Sequence, residues 1–121
     1  MFRLEKELRF EAAHVLPHHD GKCGRLHGHS WRAILILESA TLHTTGPKAG
    51  MVADFGDVSA AAKPLLDGKL DHWHLNESTG LENPTSESLA RYIFDTLKPG
   101  IPLLAAVRVC ETCTSACEYR P

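Results

Sequence analysis

One stretch, RLHGHSWRAILILES (residues 25–39), carries both the strongest structural signal of the chain and its first chemical signal. Its centre, Ala33 to Leu37, is almost wholly apolar, which is typical of a strand buried on both faces. The stretch therefore predicts a β-strand over residues 25–39. Near its start lie His27 and His29, and alternate residues of a strand project from the same face.

The segments on either side predict a small α+β domain. Residues 2–13 show apolar residues at even intervals and predict a strand that ends at His14. Two later segments repeat apolar residues every three or four positions and predict helices on one face of an antiparallel sheet. Pro64 is expected to kink the first helix in its last turn. The remaining elements are helices at about Phe55–Leu66 and Ser86–Leu97, a long loop over 67–84, and strands over 103–112 and 116–120, in the order ββααββ.

Length and composition limit the classes of function. A chain of 121 residues fits one domain, residues 1–121. The net charge of −2, with both signs interspersed, argues against a nucleic-acid surface, which is normally basic and clustered. No apolar run approaches the ~20 residues that span a bilayer, and the N-terminus lacks the features of a signal peptide. A cytoplasmic location follows as the default, and the four cysteines are expected to be reduced.

The eight histidines indicate metal or proton chemistry. His27 and His29 can share one cation, and His14, at the end of the adjacent strand, is the natural third ligand. Three histidines with an open fourth position are typical of catalytic zinc. Two other pairs, His18-His19 and His72-Trp73-His74, compete with this set, and spacing alone does not rank the three.

Other residues suggest proton chemistry near such a metal. Cys23 lies in a polar loop beside Lys22 and Arg25, and a nearby cation favours the reactive thiolate. Asp71 and His72 can form a proton relay only if a turn brings them together, because neighbours on a strand point to opposite faces.

The last part of the chain offers an acid and three thiols. Glu111 ends a strand of Val and Ala, and a carboxylate there can accept two parallel hydrogen bonds from the amino and ring N–H groups of a pterin or a guanine. The set Cys110, Cys113 and Cys117 is a rival metal site for zinc or an iron–sulfur cluster, but it lacks a fourth cysteine.

Six blocks of the sequence, in order, resemble the 6-pyruvoyl-tetrahydropterin synthase family, most closely its bacterial 6-carboxytetrahydropterin synthase branch. They span nearly the whole chain, and the Cys-x-x-x-His-x-His block joined to the others is highly specific. The blocks are FEAAH (10–14), CGRLHGH (23–29), VADF (52–55), LDH with LN (70–72 and 75–76), LENPTSE (81–87) and ETCT (111–114).

This resemblance implies roles for individual residues. The family's zinc ligands match His14, His27 and His29, and its thiol base matches Cys23. Its relay pair matches Asp71 and His72, contributed across a subunit interface. Its pterin-anchoring acid matches Glu111, assisted by Thr85 and Ser86.

The resemblance also implies a fold and an activity. The family has the tunnelling fold, in which trimers stack as a homohexamer. The bacterial branch converts 7,8-dihydroneopterin triphosphate to 6-carboxy-5,6,7,8-tetrahydropterin, acetaldehyde and triphosphate in queuosine biosynthesis, which makes it a carbon–carbon lyase. The alternatives are the sister activity, which eliminates triphosphate and keeps the side chain, and a non-enzymatic zinc-binding module.

Overall fold

A computed structural model describes all residues, 1–121, and contains one four-stranded antiparallel sheet. The strands pair in the order β1-β2-β3-β4, so that each is hydrogen-bonded to its neighbour in the chain. This confirms the predicted α+β class and antiparallel sheet. The strands are β1 (Phe2–His14), β2 (His27–Ser39), β3 (Leu104–Thr112) and β4 (Ser115–Tyr119), and the helices are α1 (Phe55–Leu65), α2 (Leu75–Thr79) and α3 (Ser86–Leu97).

The prediction of an uninterrupted loop over residues 67–84 is wrong. A π-helical turn, Leu66–Leu70, follows α1 directly, and the short helix α2 lies five residues further on. Pro64 has no N–H to give to the α-helical ladder, and the helix changes to the wider turn two residues later. Leu70 and Leu75 are fully buried, and their burial draws this connection onto the core.

The main core lies between the helices and one face of the sheet. Alternate residues of β1 and β2 face it, and Phe10 stacks on Trp31 with ring centroids 6.0 Å apart. The helices contribute a stripe at three- and four-residue spacing, as the sequence predicts. The strand residues in this cluster are Leu8, Phe10, Ala12, Trp31, Ala33, Leu35, Leu37, Leu104, Val107 and Val109, and those of α1 and α3 are Val58, Ala62, Leu65, Leu89, Ala90, Ile93, Phe94 and Leu97.

The opposite face of the sheet buries a second, smaller apolar cluster. Ile34 and Ile36 of β2 pack there with Ala106 and Cys110 of β3. The centre of β2 is therefore buried on both faces, as its unbroken apolar run predicts.

The register of β1 with β2 brings the candidate metal ligands to one end of the sheet. His14 pairs with His27, and Ala12 pairs with His29. The segment after the π-helical turn runs along the outer edge of β1 at the same end, where Ala13 forms a parallel bridge with His74. The candidate metal ligands and the residues that follow Leu70 therefore meet at this corner. None of the helices is both long and apolar enough to cross a bilayer.

We expect Leu35→Ala to lower the free energy of unfolding by about 2–5 kcal/mol, because it leaves a cavity at the centre of the main core. Leu26→Ala, just before the same strand, is the matched control, since the Leu26 side chain is 63% exposed and should matter little. Denaturant unfolding of both variants measures the difference. Equal losses of stability would contradict the placement of β2 at the centre of the core.

Candidate metal centre and active site

Three histidines converge where β1 ends and β2 begins. His14, His27 and His29 each present one ring nitrogen, and these three atoms lie within 4.8 Å of one another. The rings meet edge to face, with centroids 4.6, 5.1 and 4.9 Å apart. The antiparallel register produces this convergence, because His14 lies opposite His27 and His29 is two residues further along β2 on the same face.

Backbone carbonyls fix the tautomers of two of these rings. His14 Nδ1 donates to the Pro84 carbonyl over 2.8 Å, and His27 Nδ1 donates to the Arg25 carbonyl over 2.6 Å. A carbonyl can only accept, so each Nδ1 carries the proton and each neutral ring turns the lone pair of Nε2 into the cluster. Metal-binding histidines are commonly held by such an outer hydrogen bond.

The inward-facing nitrogens fit a cation better than they fit each other. His14 Nε2 and His27 Nε2 are 3.0 Å apart, and two lone pairs at that distance repel when neither atom carries a proton. His29 Nε2 is buried and has no hydrogen-bond partner. A metal ion with three nitrogen ligands would satisfy all three atoms together. The cluster is therefore a candidate metal centre.

Burial favours the neutral form, which a metal requires, in two of these rings, His14 and His29. Desolvation lowers the pKa of His14, and the nearby His27 lowers it further, against the raising effect of the Pro84 bond and the Glu111 charge. Desolvation also lowers the pKa of His29, where Glu111 opposes the shift. The Trp31 ring packs edge to face against both imidazoles, with its centroid 4.9 Å from that of His14 and 5.2 Å from that of His29.

Glu111, near the end of β3, reaches the same cluster from the next strand. Its Oε1 lies 3.3 Å from His14 Nε2 and 3.5 Å from His29 Nε2. The carboxylate is therefore adjacent to the candidate metal centre. Thr85 and Ser86 follow Pro84, whose carbonyl holds His14, so this segment is also adjacent to the site. Thr85 caps α3 by accepting from the Ser88 N–H, which gives it a structural role as well.

A turn brings Asp71 and His72 together. His72 has a positive φ of 65°, and its Nδ1 lies 3.0 Å from Asp71 Oδ2. Two hydrogen bonds tie this turn to β1, one from Glu11 N to Asp71 Oδ1 and one from His72 N to the Glu11 carbonyl. The His72 side chain is 79% exposed.

Cys23 lies in a short 3₁₀ turn, Lys22–Gly24, just ahead of β2. Its carbonyl accepts from Leu16 N, which ties the turn to the segment that follows β1. The thiol is partly buried, and it is not one of the groups that converge in the histidine cluster.

The rival metal sites are not assembled. Cys117 pairs with Val109 and faces the helices. Cys110, the residue after Val109 in β3, faces the other side of the sheet. The late cysteines therefore do not converge. His18 forms an exposed pair with Glu82, and His74 Nδ1 lies 3.3 Å from Glu77. Of the three histidine pairs that the sequence offers, only His27 and His29 form a cluster with a third histidine, His14.

Three residues support the site through contacts that the sequence does not predict. The Pro84 carbonyl accepts the hydrogen bond from His14, and the Trp31 ring packs edge to face against His14 and His29. Asn76 clamps the chain just after His14, with bonds between its amide and both backbone groups of Val15. The Leu75-Asn76 block matched the family pattern, but only the structure shows what the amide does.

Comparison with known proteins identifies the family. The family model described as 6-pyruvoyl tetrahydropterin synthase matches residues 3–121. This chain belongs to the 6-pyruvoyl tetrahydropterin synthase family. Within the family it is 53% identical over 120 residues to the 6-carboxy-5,6,7,8-tetrahydropterin synthase of Synechocystis sp., covering 98% of this chain and 93% of that protein. It is 33% identical over 141 residues to the enzyme of the same name from Haemophilus influenzae, covering 99% of each.

The 6-pyruvoyl tetrahydropterin synthase fold is also evident in solved structures. The Caenorhabditis elegans 6-pyruvoyl tetrahydropterin synthase superimposes with a TM-score of 0.83 at 27% identity, covering 99% of this chain and 95% of that one. The likeness extends over the whole sheet and its helices. It confirms the α+β fold class that the sequence indicates.

We expect the stabilising effect of Asp71 to disappear in acid. The hydrogen bond from Glu11 N, followed by the bond to His72, holds the pKa of Asp71 below its ordinary value. A lowered folded-state pKa stabilises the fold above the unfolded value of about 4, and this contribution is lost as the pH falls through the folded-state pKa. Asp71→Asn should therefore lower the melting temperature at pH 7, and the gap from the parent protein should narrow below about pH 4.

Asp95→Asn, on the exposed face of α3, is the control, and should differ little from the parent protein across this range. Thermal unfolding followed by circular dichroism between neutral and acid pH measures all three proteins. A gap for Asp71→Asn that keeps its full size in acid would show that the charge of Asp71 does not stabilise the turn.

Proposed function

We propose that this protein is a zinc-dependent 6-carboxy-5,6,7,8-tetrahydropterin synthase of queuosine biosynthesis, which converts 7,8-dihydroneopterin triphosphate and water to 6-carboxy-5,6,7,8-tetrahydropterin, acetaldehyde and triphosphate. The observation that carries the proposal is the convergence of three imidazole lone pairs beside Glu111. The relatives with this name, including one 53% identical over 98% of this chain, support the reaction over the sister activity.

Zinc is the ion that we propose for the histidine cluster. His14, His27 and His29 would hold it as neutral nitrogen ligands, a donor set typical of catalytic zinc with an open position. When bound, zinc supplies Lewis acidity to substrate oxygens. The carbonyls of Pro84 and Arg25 would keep two of the rings in the binding tautomer.

Cys23 and His72 are proposed to move protons, with Asp71 as the partner of His72 in the relay. Cys23 would act as the base, in the 3₁₀ turn that leads to the two histidines of β2. His72 would relay a proton through its exposed imidazole, while Asp71 holds Nδ1 and so directs Nε2 outward. A general acid or base in this position contributes about 10²–10⁴-fold to a rate.

The pterin ring is proposed to bind at Glu111. Its carboxylate can accept two parallel hydrogen bonds from adjacent N–H groups of the ring, and it already faces the cluster. Thr85 and Ser86, beside the Pro84 carbonyl, would offer hydroxyl groups to the same ring. This arrangement would hold the pterin ring at Glu111 and direct the side chain of the substrate toward the zinc.

We also propose a homohexamer with active sites between subunits, and a cytoplasmic location. The outward-facing His72 supports the first, because an exposed relay residue can serve the site of an adjacent subunit. The outer edge of β4, and that of β1 before Glu11, pair with no other strand of the chain, which is consistent with sheets that pair between subunits.

Identification of the products tests the function directly. Zinc-loaded protein is incubated with 7,8-dihydroneopterin triphosphate, and the pterin product and acetaldehyde are measured. Acetaldehyde in equal amount to 6-carboxy-5,6,7,8-tetrahydropterin is expected. A pterin that retains its side chain, with triphosphate but no acetaldehyde, would instead identify the sister activity, and no turnover would contradict both.

We expect the parent protein to bind one zinc per chain and His29→Ala to lose most of it, because the cluster then has two ligands. His43→Ala is the matched control, since His43 is exposed and outside the cluster. Metal analysis after dialysis measures the content. Full zinc occupancy in His29→Ala would place the metal elsewhere.

We expect Cys23→Ala to lower kcat by about 10²–10⁴-fold while the zinc content stays at one per chain, because the thiol moves protons and does not hold the metal. Cys113→Ala removes an exposed thiol outside the site and should keep the parent rate. Steady-state assays on both variants make the comparison. Parent-like turnover by Cys23→Ala would remove the base from this scheme.

A further inference from the structure

Trp73 is a large aromatic residue that the proposed function leaves without a role, although it directly follows His72. It is 44% exposed, whereas Trp31, the other tryptophan of the chain, is 1% exposed. The Trp73 indole N–H donates to the Asp67 carbonyl over 2.9 Å. This bond uses the only polar group of the side chain, so the exposed part of the ring system is available for apolar and stacking contacts.

The backbone of Trp73 is also held in place. Its carbonyl accepts from Ala13 N over 3.1 Å, and its N–H donates to the Leu70 carbonyl over 3.3 Å. Together with the bond to Asp67 in the π-helical turn, three hydrogen bonds fix the residue. A side chain that is already ordered loses little conformational entropy when it contacts a ligand, which favours binding.

Trp73 and His72 line the same cavity of about 480 Å³ at the outer edge of β1, which is within the usual range of small-molecule pockets. Glu11 and Ser30 line it as well, and Ser30 Oγ donates to Glu11 Oε2 over 2.7 Å. Both alternate along their strands with residues that face the helices, so they lie on the sheet face opposite the main core. The proposed relay imidazole and the exposed indole therefore border one space.

The composition of this lining favours a flat, uncharged group. The cavity contains no Lys or Arg, so a triphosphate would find no cation there, and the Glu11 carboxylate would repel it. A flat heterocycle can stack on the indole, and its N–H groups can donate to the same carboxylate. A single exposed aromatic residue is ordinary, but Trp73 is fixed beside a proposed catalytic group in a cavity of ligand size.

We propose that Trp73 is a substrate-binding residue, whose exposed indole ring stacks on the flat pterin ring of the substrate that His72 serves. This proposal rests on the proposed function for the identity of that ring, and on the proposed assembly, in which His72 serves the site of an adjacent subunit. One short segment then makes two contributions to that site. Asp71 and His72 relay a proton, and Trp73 holds the ring.

Equilibrium binding of 7,8-dihydroneopterin, which has the pterin ring but no phosphate, tests this role. Trp73→Ala should raise the dissociation constant roughly tenfold, within the range seen when an aromatic side chain that stacks on a base is lost. Trp73→Phe keeps a ring and should stay within about threefold of the parent protein. Phe2→Ala is the matched control and should bind like the parent protein, because Phe2 is 48% exposed and lies at the other end of β1.

Two further measurements separate stacking from a structural role. In Trp73→Ala the KM for 7,8-dihydroneopterin triphosphate should rise by the same factor as the dissociation constant, while zinc content and oligomeric mass by light scattering stay those of the parent protein. Parent-like binding by Trp73→Ala or equal losses in Trp73→Ala and Trp73→Phe would overturn the stacking role. A fall in oligomeric mass would overturn it too, because the ring would then pack against a neighbouring subunit.

The parent protein distinguishes this inference from the proposed function. A parent protein that binds 7,8-dihydroneopterin but yields no product from the triphosphate contradicts the proposed function alone, and the binding comparison still decides the role of Trp73. A parent protein that turns over the substrate, with parent-like binding by Trp73→Ala, contradicts the role of Trp73 alone. Absence of pterin binding by the parent protein contradicts both.

Discussion

The candidate site depends on the antiparallel register between β1 and β2. That register pairs His14 with His27 and Ala12 with His29, and it sets the three imidazoles on the helix-facing side of the sheet at its end. A shift by one residue would turn His27 and His29 to the opposite face, away from His14. The apolar alternation of both strands opposes such a shift, because it would also expose Phe10, Trp31 and Leu35. The packing of the hydrophobic core thus maintains the geometry of the candidate metal centre.

Hydrogen bonds from outside the two strands orient the histidine rings and hold the chain beside them. The carbonyls of Pro84 and Arg25 select the tautomer in which Nε2 faces inward, and the Asn76 amide holds the chain just beyond His14. The resulting cluster is unfavourable by itself, since two nitrogen lone pairs face each other across 3.0 Å and a third is left unpaired. A protein retains such an arrangement when a ligand relieves it. The cluster therefore lowers the stability of the fold unless a ligand, such as the proposed cation, completes it.

The outer edge of β1 positions the proposed relay pair, Asp71 and His72. The segment after the π-helical turn is hydrogen-bonded to that edge at Glu11 and Ala13, and a left-handed backbone at His72 brings its ring back to Asp71. The same hydrogen bonds therefore protect this edge and hold the proposed relay pair in place. His74 lies on the same segment, where it forms a parallel bridge with Ala13.

The sequence by itself determined the class of fold and most element positions. Local structure could be predicted from the apolar periodicity of residues 2–13 and 86–97 and from the apolar run Ala33–Leu37. The spacing of apolar residues along the chain directly reflects which face of a strand or helix is buried. The sequence left three histidine pairs open. It also predicted a loop where the π-helical turn and α2 lie, since the burial of Leu70 and Leu75 is a tertiary effect. Only the tertiary structure decided which histidines meet, which carbonyls orient them and whether Asp71 reaches His72, because these depend on distances between residues as far apart in the chain as His14 and Pro84.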